Sequence, residues 1–238
     1  LNVMMEVDPA GRRTGVPAGA QAIKLAEHLA KLPGLKLRGI HGYSGVSAHV
    51  TGFEARRNHS TKVMTPVLET FTQLKKIGLP VEIMSGGSTG TYNIDTELAG
   101  MTELQVGSYV FMDKEYRMVG GKSGAVYDDF GCALTVMGTV ISKVYDDHAT
   151  VDSGIKAFAK DRKFDADVKG ITGVTFSAGS DEHGILTLTN PSREIKLGDR
   201  IEFIVPHCDP NVNLYDRMYC TRGENVVDVW RTFGRYGD

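Results

Sequence analysis

The chain of 238 residues has few cysteines, no long apolar run and little excess of either charge. Its three cysteines, Cys132, Cys208 and Cys220, form no C-x-x-C pair, which indicates reduced thiols in a cytoplasmic protein. No apolar stretch approaches the roughly 20 residues that span a bilayer. The net charge of −2 gives no reason to expect nucleic acid or an anionic membrane as a partner.

The most informative motif that is present is His207-Cys208-Asp209, inside the run VPHCDPNVNLYD. Side chains alternate along a strand with period two, so extended backbone would point His207 and Asp209 to the same side. One nitrogen and one oxygen donor suit Mn²⁺, Zn²⁺, Co²⁺ or Mg²⁺. Two ligands leave positions open for water or substrate, as in catalytic sites. The alternative interpretation is a strand end with a surface histidine and a turn-forming Asp-Pro pair.

Residues 1 to about 112 alternate short apolar strands with Gly-rich turns and amphipathic helices. This order predicts a parallel sheet or a (β/α) barrel. Helices are predicted over residues 20–29 and from Phe53 to about Ile77, where Gly78 and Pro80 are stop signals. The predicted strands are Val3–Val7, Leu35–Ile40, Val81–Met84 and Leu104–Val110.

The second half of the chain consists of β-rich runs between Gly, Asp, Asn and Ser turns, which predicts an antiparallel β domain. The flexible stretch Gly120–Gly124 lies where the alternation of strands and helices gives way to these β-rich runs. We therefore predict two domains, 1–125 and 126–238, with the metal residues in the second. The predicted runs are Ala133–Val144, His148–Asp152, Gly173–Ser177, Gly184–Thr189 and Arg200–Pro206.

The turns at the carboxyl ends of the parallel strands are where ligands of such folds gather. In the turn MSGGSTGTY, residues 84–92, small residues let backbone N–H groups converge, and Ser88, Thr89 and Thr91 add hydroxyl groups. These groups form a candidate anion cradle. The structural alternative is that the glycines only permit a tight turn.

Two earlier turns offer further polar groups, Arg12 and Arg13 in the first and His41 and Tyr43 in the second. Each could be an ordinary surface residue. Neither a Walker-type Gly-Lys-Ser/Thr ending nor a G-x-G-x-x-G fingerprint accompanies them, which disfavours a nucleotide. A cradle, an arginine, a tyrosine and a metal pair in one chain favour a phosphorylated small cofactor.

With these motifs in this order, the chain resembles the D-threonine aldolase and D-serine dehydratase group of fold-type III pyridoxal-phosphate enzymes. The resemblance covers nearly all 238 residues. It implies an α/β fold class: the C-terminal portion of an alanine-racemase-like (β/α)₈ barrel followed by an antiparallel β domain, in a homodimer. The matching motifs lie at residues 6–16, 42–45, 86–92, 107–113, 152–157, 182–184 and 207–216.

The resemblance implies that the cofactor is pyridoxal 5′-phosphate and that the cradle holds its phosphate. Ser88 and Thr89 would contribute with the amides of Gly87, Gly107 and Ser108.

It implies further roles for three residues around the cofactor ring. Arg13 would approach the phenolic oxygen and the substrate carboxylate, and Tyr43 would line the pocket. Gln105 lies where racemase relatives place an arginine against the ring nitrogen. A neutral partner there would leave the pyridine unprotonated.

For the metal, the resemblance implies His207 and Asp209 as ligands, with Mn²⁺ preferred over Zn²⁺, Co²⁺ and Mg²⁺. His207 and Arg13 are the residues to which we assign catalytic roles. Glu182 and His183 are expected near the same pocket with no assigned chemistry. The segment Asp152–Lys156 is a candidate contribution from a neighbouring subunit.

One departure from the family is serious, because no lysine here matches the position of the Schiff-base lysine. That lysine is expected upstream of Leu1, which already opens an apolar strand. We therefore interpret the chain as a fragment that lacks covalent cofactor chemistry of its own.

The implied reaction is the retro-aldol cleavage of a D-β-hydroxy-α-amino acid to glycine and an aldehyde. A D-serine dehydratase is the first alternative, but that branch has a His-x-Cys pair where this chain has His207-x-Asp209. Hard carboxylate ligation favours the aldolase. A 3-hydroxy-D-aspartate aldolase remains open, and so does a non-catalytic remnant that binds metal or phosphate.

Overall fold

Five parallel strands form one sheet in the structure, a computed structural model that describes residues 1–234. The strand order is β2-β1-β3-β4-β5, and every neighbouring pair is parallel. The expected parallel sheet is therefore confirmed. The strands are β1 Asn2–Asp8, β2 Val16–Pro17, β3 Lys36–Gly42, β4 Ile83–Gly86 and β5 Glu103–Leu104.

Helices in this half carry an apolar stripe that packs on the sheet. Ala22 and Ala26 of the first helix and Val67 and Phe71 of the long helix are buried in one cluster with the strand residue Ile40. Each large apolar side chain buried there contributes about 1.5–3 kcal/mol. The two helices predicted from periodicity are confirmed to within a residue. The helices are α1 Ala20–Leu29, α2 Gly45–Ala48, α3 Phe53–Lys76, α4 Tyr92–Asp95 and α5 Lys114–Met118.

The strand predicted over Leu104–Val110 is wrong for most of its length. Only Glu103 and Leu104 pair with β4, and a 3₁₀ turn follows at Ser108–Val110. Gly107 and Ser108 favour turns over strands, and β5 is an edge strand with no outer neighbour to extend it.

The second half forms an antiparallel sheet of six strands in the order β8-β11-β6-β7-β10-β9, with a separate hairpin after it. Phe158, Phe176 and Phe203 meet in its core, with ring centroids 4.6–5.8 Å apart. The antiparallel prediction is confirmed. The elements are β6 Thr135–Ser142, β7 His148–Val151, β8 Asp167–Val168, β9 Val174–Ser177, β10 Gly184–Leu188, β11 Arg200–Ile204, α6 Cys208–Leu214, β12 Arg217–Arg222 and β13 Asn225–Arg231.

The chain divides into a parallel unit, residues 1–109 and 116–129, and an antiparallel unit, residues 110–115 and 130 onward. The predicted 125/126 boundary stays a prediction, and the last four residues of the predicted second domain lie outside the described part of the chain. No helix among residues 1–234 is both long and apolar enough to cross a membrane.

Candidate functional site

A row of polar side chains crosses one face of the parallel sheet. Glu6 of β1 is in register with His41 of β3, His41 with Ser85 of β4, and Ser85 with Glu103 of β5. The neighbouring positions along the strands are apolar and face the helices, so the row lies on the opposite face. Within the described residues, His41 Nδ1 is buried without a hydrogen-bond partner. A buried orphan nitrogen fits a face that accepts a polar ligand.

The loop after β1 brings two of the predicted cofactor residues together. The Asp8 carboxylate accepts hydrogen bonds from the backbone N–H groups of Gly11 (2.7 Å) and Arg12 (3.0 Å). Arg12 is held at φ +52°, a sparsely populated conformation that is typical of ligand-binding loops. The next residue, Arg13, places its guanidinium 5.1 Å from the centre of the Tyr43 ring, a cation–π contact.

Gln105 belongs to a short hydrogen-bond chain. Its Nε2 donates to Ser85 Oγ at 3.1 Å, and Ser85 Oγ donates to Glu103 Oε1 at 2.6 Å. A carboxylate only accepts, so the hydroxyl must donate to Glu103 and accept from the amide. This chain fixes Gln105 with its amino group towards Ser85. The predicted contact between Gln105 and the cofactor ring nitrogen stays a prediction.

The candidate cradle loop, residues 87–91, is buried and internally bonded. Thr91 Oγ1 accepts from the Ser88 N–H at 3.1 Å and donates to Asp95 Oδ2 at 2.5 Å. Gly90 has no room for a side chain, because a Cβ there would lie 2.1 Å from the carbonyl oxygen of Ala48. The sequence therefore needs glycine at this position for packing as well as for the turn.

A second loop meets the cradle loop. The Tyr109 N–H donates to Thr89 Oγ1 at 3.0 Å, which leaves the Thr89 hydroxyl proton free to be donated elsewhere. Gly107 borders open space, because a Cβ added there would meet nothing within 4 Å. Hydroxyl groups from Ser88 and Thr89 beside an open glycine fit a phosphate group.

In the antiparallel unit, the extended backbone expected for His207-Cys208-Asp209 is wrong. Strand β11 ends at Ile204, His207 is the last extended residue (φ −145°, ψ 121°), and α6 begins at Cys208. Asp209 and Pro210 suit the first helical turn, where a carboxylate complements the helix dipole and proline loses no hydrogen bond. Any proximity of the His207 and Asp209 side chains therefore does not arise from the alternation of side chains along a strand.

The structure nevertheless brings the two predicted metal residues close together. His207 Nε2 lies 3.5 Å from Asp209 Oδ2, and His207 Nδ1 lies 2.6 Å from Asp161 Oδ2. The Asp209 carboxylate, with help from Asp161 and against the effect of burial, raises the pKa of His207 to about 9. Asp161 was missed by the sequence analysis, since it lies 46 residues away in a charged loop without a motif.

Cys208 is not available as a ligand. Its side chain is fully buried in the core, and burial raises the pKa of its thiol. The Asp113 carboxylate accepts the Cys208 N–H at 2.8 Å and so fixes the start of α6. The polar groups at this place are therefore an imidazole, carboxylates and the Arg162 guanidinium, which pairs with Asp161 Oδ2 at 2.7 Å.

The donor set fits an incomplete coordination sphere. With Nδ1 held by Asp161, the candidate ligands for a cation are Nε2 of His207 and the Asp209 carboxylate. Among residues 1–234 no group of three or more His, Cys, Asp or Glu side chains is arranged to hold a metal ion. A cation bound here would need water or substrate to complete its shell.

The other residues singled out in the sequence lie on the surface of the antiparallel unit. Lys156 forms an exposed ion pair with Glu182, and this pair raises the pKa of Lys156. His183 is exposed in the same turn, where its N–H donates to Ser180 Oγ at 3.3 Å. These contacts assign none of the three a chemical role.

Comparison with known proteins identifies the class first. Residues 1–115 match the family model for the alanine racemase N-terminal domain, and residues 133–221 match that for the putative serine dehydratase domain. Both parts of the chain are thus similar to the fold-type III group, a family that depends on pyridoxal phosphate. The expected alanine-racemase-like part followed by an antiparallel β part is confirmed.

Among individual proteins, the chain is similar to aldolases of D-hydroxy amino acids. A 3-hydroxy-D-aspartate aldolase from Paracoccus denitrificans (strain Pd 1222) is 31% identical over 99% of this chain and 60% of its own length. A D-threonine aldolase from Arthrobacter sp. is 29% identical over 99% and 61%. The crystal structure of D-threonine aldolase from Filomicrobium marinum has a TM-score of 0.87 at 31% identity, covering 97% of this chain and 62% of that one. The chain thus spans about 60% of the length of these relatives.

Proposed function

We propose that this chain supplies cofactor- and metal-binding parts of a lyase that cleaves D-β-hydroxy-α-amino acids to glycine and an aldehyde, using pyridoxal 5′-phosphate and a divalent metal. The observation that carries the proposal is the arrangement of His207, with one ring nitrogen held by Asp161 and the other facing Asp209. It occurs in a chain whose first 115 residues match the racemase domain and whose relatives include two such aldolases.

On the cofactor side, pyridoxal phosphate supplies an electron sink for the pair left on Cα. Ser88 and Thr89, with the amides of Gly87, Gly107 and Ser108, would hold its phosphate. Arg13, packed on Tyr43, would bind the phenolic oxygen or the substrate carboxylate through its planar fork.

Gln105 would offer a neutral amide to the cofactor ring. The Ser85–Glu103 pair orients that amide so that its second N–H remains a donor. Because the Gln105 amide donates to the ring nitrogen, that nitrogen stays unprotonated. An unprotonated pyridine ring is a weaker electron sink.

On the metal side, a divalent cation supplies Lewis-acid polarisation of a hydroxyl oxygen. Asp161 accepts the Nδ1 proton, so the proton that a cation would displace from His207 is the one on Nε2, the nitrogen that faces Asp209. Carboxylate and imidazole donors suit Mn²⁺, which we propose as the metal, with Zn²⁺, Co²⁺ and Mg²⁺ as alternatives.

The proposed substrate is D-threonine or 3-hydroxy-D-aspartate, because aldolases named for each are about equally identical to this chain. A dehydratase reaction is less well supported, because its branch uses a thiolate where this chain has Asp209, and the thiol of Cys208 is buried. We also propose a homodimer in the cytoplasm that acts on small molecules.

The test is an assay of glycine release from each substrate, with pyridoxal phosphate and Mn²⁺, in the longest protein that contains this sequence. We expect His207→Ala to abolish metal-dependent turnover and to lower Mn²⁺ affinity by at least about 100-fold, while cofactor binding is kept. The matched control is His148→Ala, a histidine of the same unit that faces one carboxylate, Asp147, at 2.8 Å. Full activity in the His207 variant would reject the assignment.

The 238-residue chain itself offers a separate check. After incubation with pyridoxal phosphate and reduction with borohydride, mass spectrometry should find no lysine labelled stoichiometrically. A single stoichiometric label would show that the Schiff-base lysine lies within this sequence.

A further inference from the structure

Arg56 of α3 is a fully buried cation whose hydrogen bonds all go to backbone carbonyl groups. Its Nε donates to Gly90 O (2.7 Å), Nη1 to Val50 O (2.9 Å) and Val119 O (3.0 Å), and Nη2 to Gly120 O (2.7 Å). No carboxylate of the described residues lies at ion-pair distance from it. Burial lowers the pKa of Arg56 and the Asp129 carboxylate offsets only part of this effect, so the position of Arg56 next to the cradle loop needs a reason.

The reason lies in the direction of the loop carbonyl groups. Arg56 holds the Gly90 carbonyl, and the Tyr127 hydroxyl donates to the Thr89 carbonyl at 2.6 Å. In a trans peptide the C=O and N–H groups point in opposite directions. Holding the Thr89 carbonyl therefore aims the Gly90 N–H away from Tyr127. A cradle for an anion needs its carbonyl oxygens turned away in this manner.

The second reason is charge. The carboxylate of Asp95 is buried beneath the same loop, where it accepts from Thr91 and from Ser60 Oγ at 2.6 Å. A Cβ on Gly87 would lie 3.1 Å from Asp95 Oδ2, so this negative group borders the loop closely. Burial raises the pKa of Asp95, so negative charge is disfavoured at this place, and a phosphate dianion there needs a cation beside the loop. Arg56 and Ser60 are four residues apart on α3, so one helix face carries both supports.

We infer that Arg56 is a positioning residue for the phosphate group: it turns the Gly90 carbonyl out of the cradle and places a positive charge beside the loop. The inference rests on the proposed role of loop 87–91 as a phosphate site. It assigns to Arg56 and Tyr127 the task of selecting a phosphorylated ligand over its dephosphorylated form.

The experiment compares the affinities of the 238-residue chain for pyridoxine 5′-phosphate and for pyridoxine. Neither ligand carries an aldehyde, so no lysine can trap it. The ratio of the two dissociation constants, from equilibrium dialysis, measures the contribution of the phosphate. We expect a ratio of roughly 100 in the unaltered chain.

Arg56→Met should lower this ratio by at least about tenfold. The affinity for pyridoxine 5′-phosphate should fall, and the affinity for pyridoxine should stay the same. Arg56→Lys keeps the charge and should retain part of the preference. Tyr127→Phe removes only the hydroxyl and should lower the ratio several-fold. The control is Arg57→Met, the neighbouring arginine, which pairs with exposed Glu54 and should leave the ratio unchanged.

Circular dichroism establishes that each variant is folded, and if Arg56→Met does not fold, Arg56→Lys and Tyr127→Phe decide. An unchanged ratio in folded variants, or an equal loss for both ligands, overturns the role of Arg56. A ratio near one in the unaltered chain instead refutes the phosphate site itself.

Discussion

The cradle loop of the parallel unit and the His207 region of the antiparallel unit are built from opposite kinds of hydrogen-bonding group. In loop 87–91 the carbonyl groups of Thr89 and Gly90 are held by Tyr127 and Arg56, and Ser88 and Thr89 carry hydroxyl groups. Around His207 the groups in contact with the imidazole are the carboxylates of Asp161 and Asp209, and Arg162 pairs with Asp161. The first arrangement suits an anion and the second a cation, although neither is evident from the net charge of −2.

The largest expected effect that separates the two regions comes from Asp161. In Asp161→Ala the imidazole loses the acceptor that fixes its tautomer, so Mn²⁺ affinity should fall by about 10–100-fold. Affinity for pyridoxine 5′-phosphate should not change. Isothermal titration with each ligand measures both.

The control for this prediction is Asp165→Ala, since Asp165 lies in the same loop but pairs with Lys160. A metal affinity within twofold of the unaltered chain for Asp161→Ala would show that the Nδ1 contact does not support the metal site.

A smaller effect is expected at Gly107. A methyl group there meets no protein atom, so Gly107→Ala should leave the melting temperature unchanged. The methyl group would enter the open space assigned to the phosphate and lower affinity for pyridoxine 5′-phosphate by roughly tenfold. Gly124, which also borders open space, provides the control, and its alanine variant should alter neither quantity. Unaltered affinity in Gly107→Ala would place the phosphate elsewhere.

The smallest expected effect is a pH dependence confined to the antiparallel unit. The folded-state pKa of His207, about 9, lies above its ordinary value of 6.5. Its contribution to stability is therefore fully present below pH 6.5 and is lost as the pH rises through 9. After allowance for solvent screening, the free energy of unfolding without metal should fall by about 1 kcal/mol over this range.

Urea denaturation in EDTA at pH 6, 8 and 10 measures this loss, with His207→Gln as the reference that lacks the titrating ring. The same slope in both proteins would mean that other groups cause it.

The sequence predicts the parts of this molecule that depend on local pattern. The periodicity of α1 and α3 and the stop signals at Gly78 and Pro80 place both helices to within a residue. The same reasoning assumed extended backbone from His207 to Asp209, because it weighed alternation above the preference of Asp209 and Pro210 for a first helical turn. Local patterns therefore located the candidate metal residues but not their geometry.

Contacts between distant segments could not be predicted in this way. Arg56 looks like one of several charged residues near the start of a long helix, and its acceptors lie up to 64 residues away. Asp161 lies 46 residues from His207. Neither has a spacing that identifies it, since only the folded backbone brings the partners together. The predicted roles of Arg13, Tyr43 and Gln105 remain predictions, although the first two are in contact.

The burial of Cys208 has a consequence for durability under oxidative stress. A thiolate ligand would be the first group lost to peroxide, and a metal site that relied on one would be switched off by oxidation. Here the sulfur is shielded in the core in its protonated form, and the exposed neighbour is a carboxylate, which does not oxidise. The candidate metal pair of this chain should therefore keep its ligands under oxidising conditions that would remove a thiolate ligand.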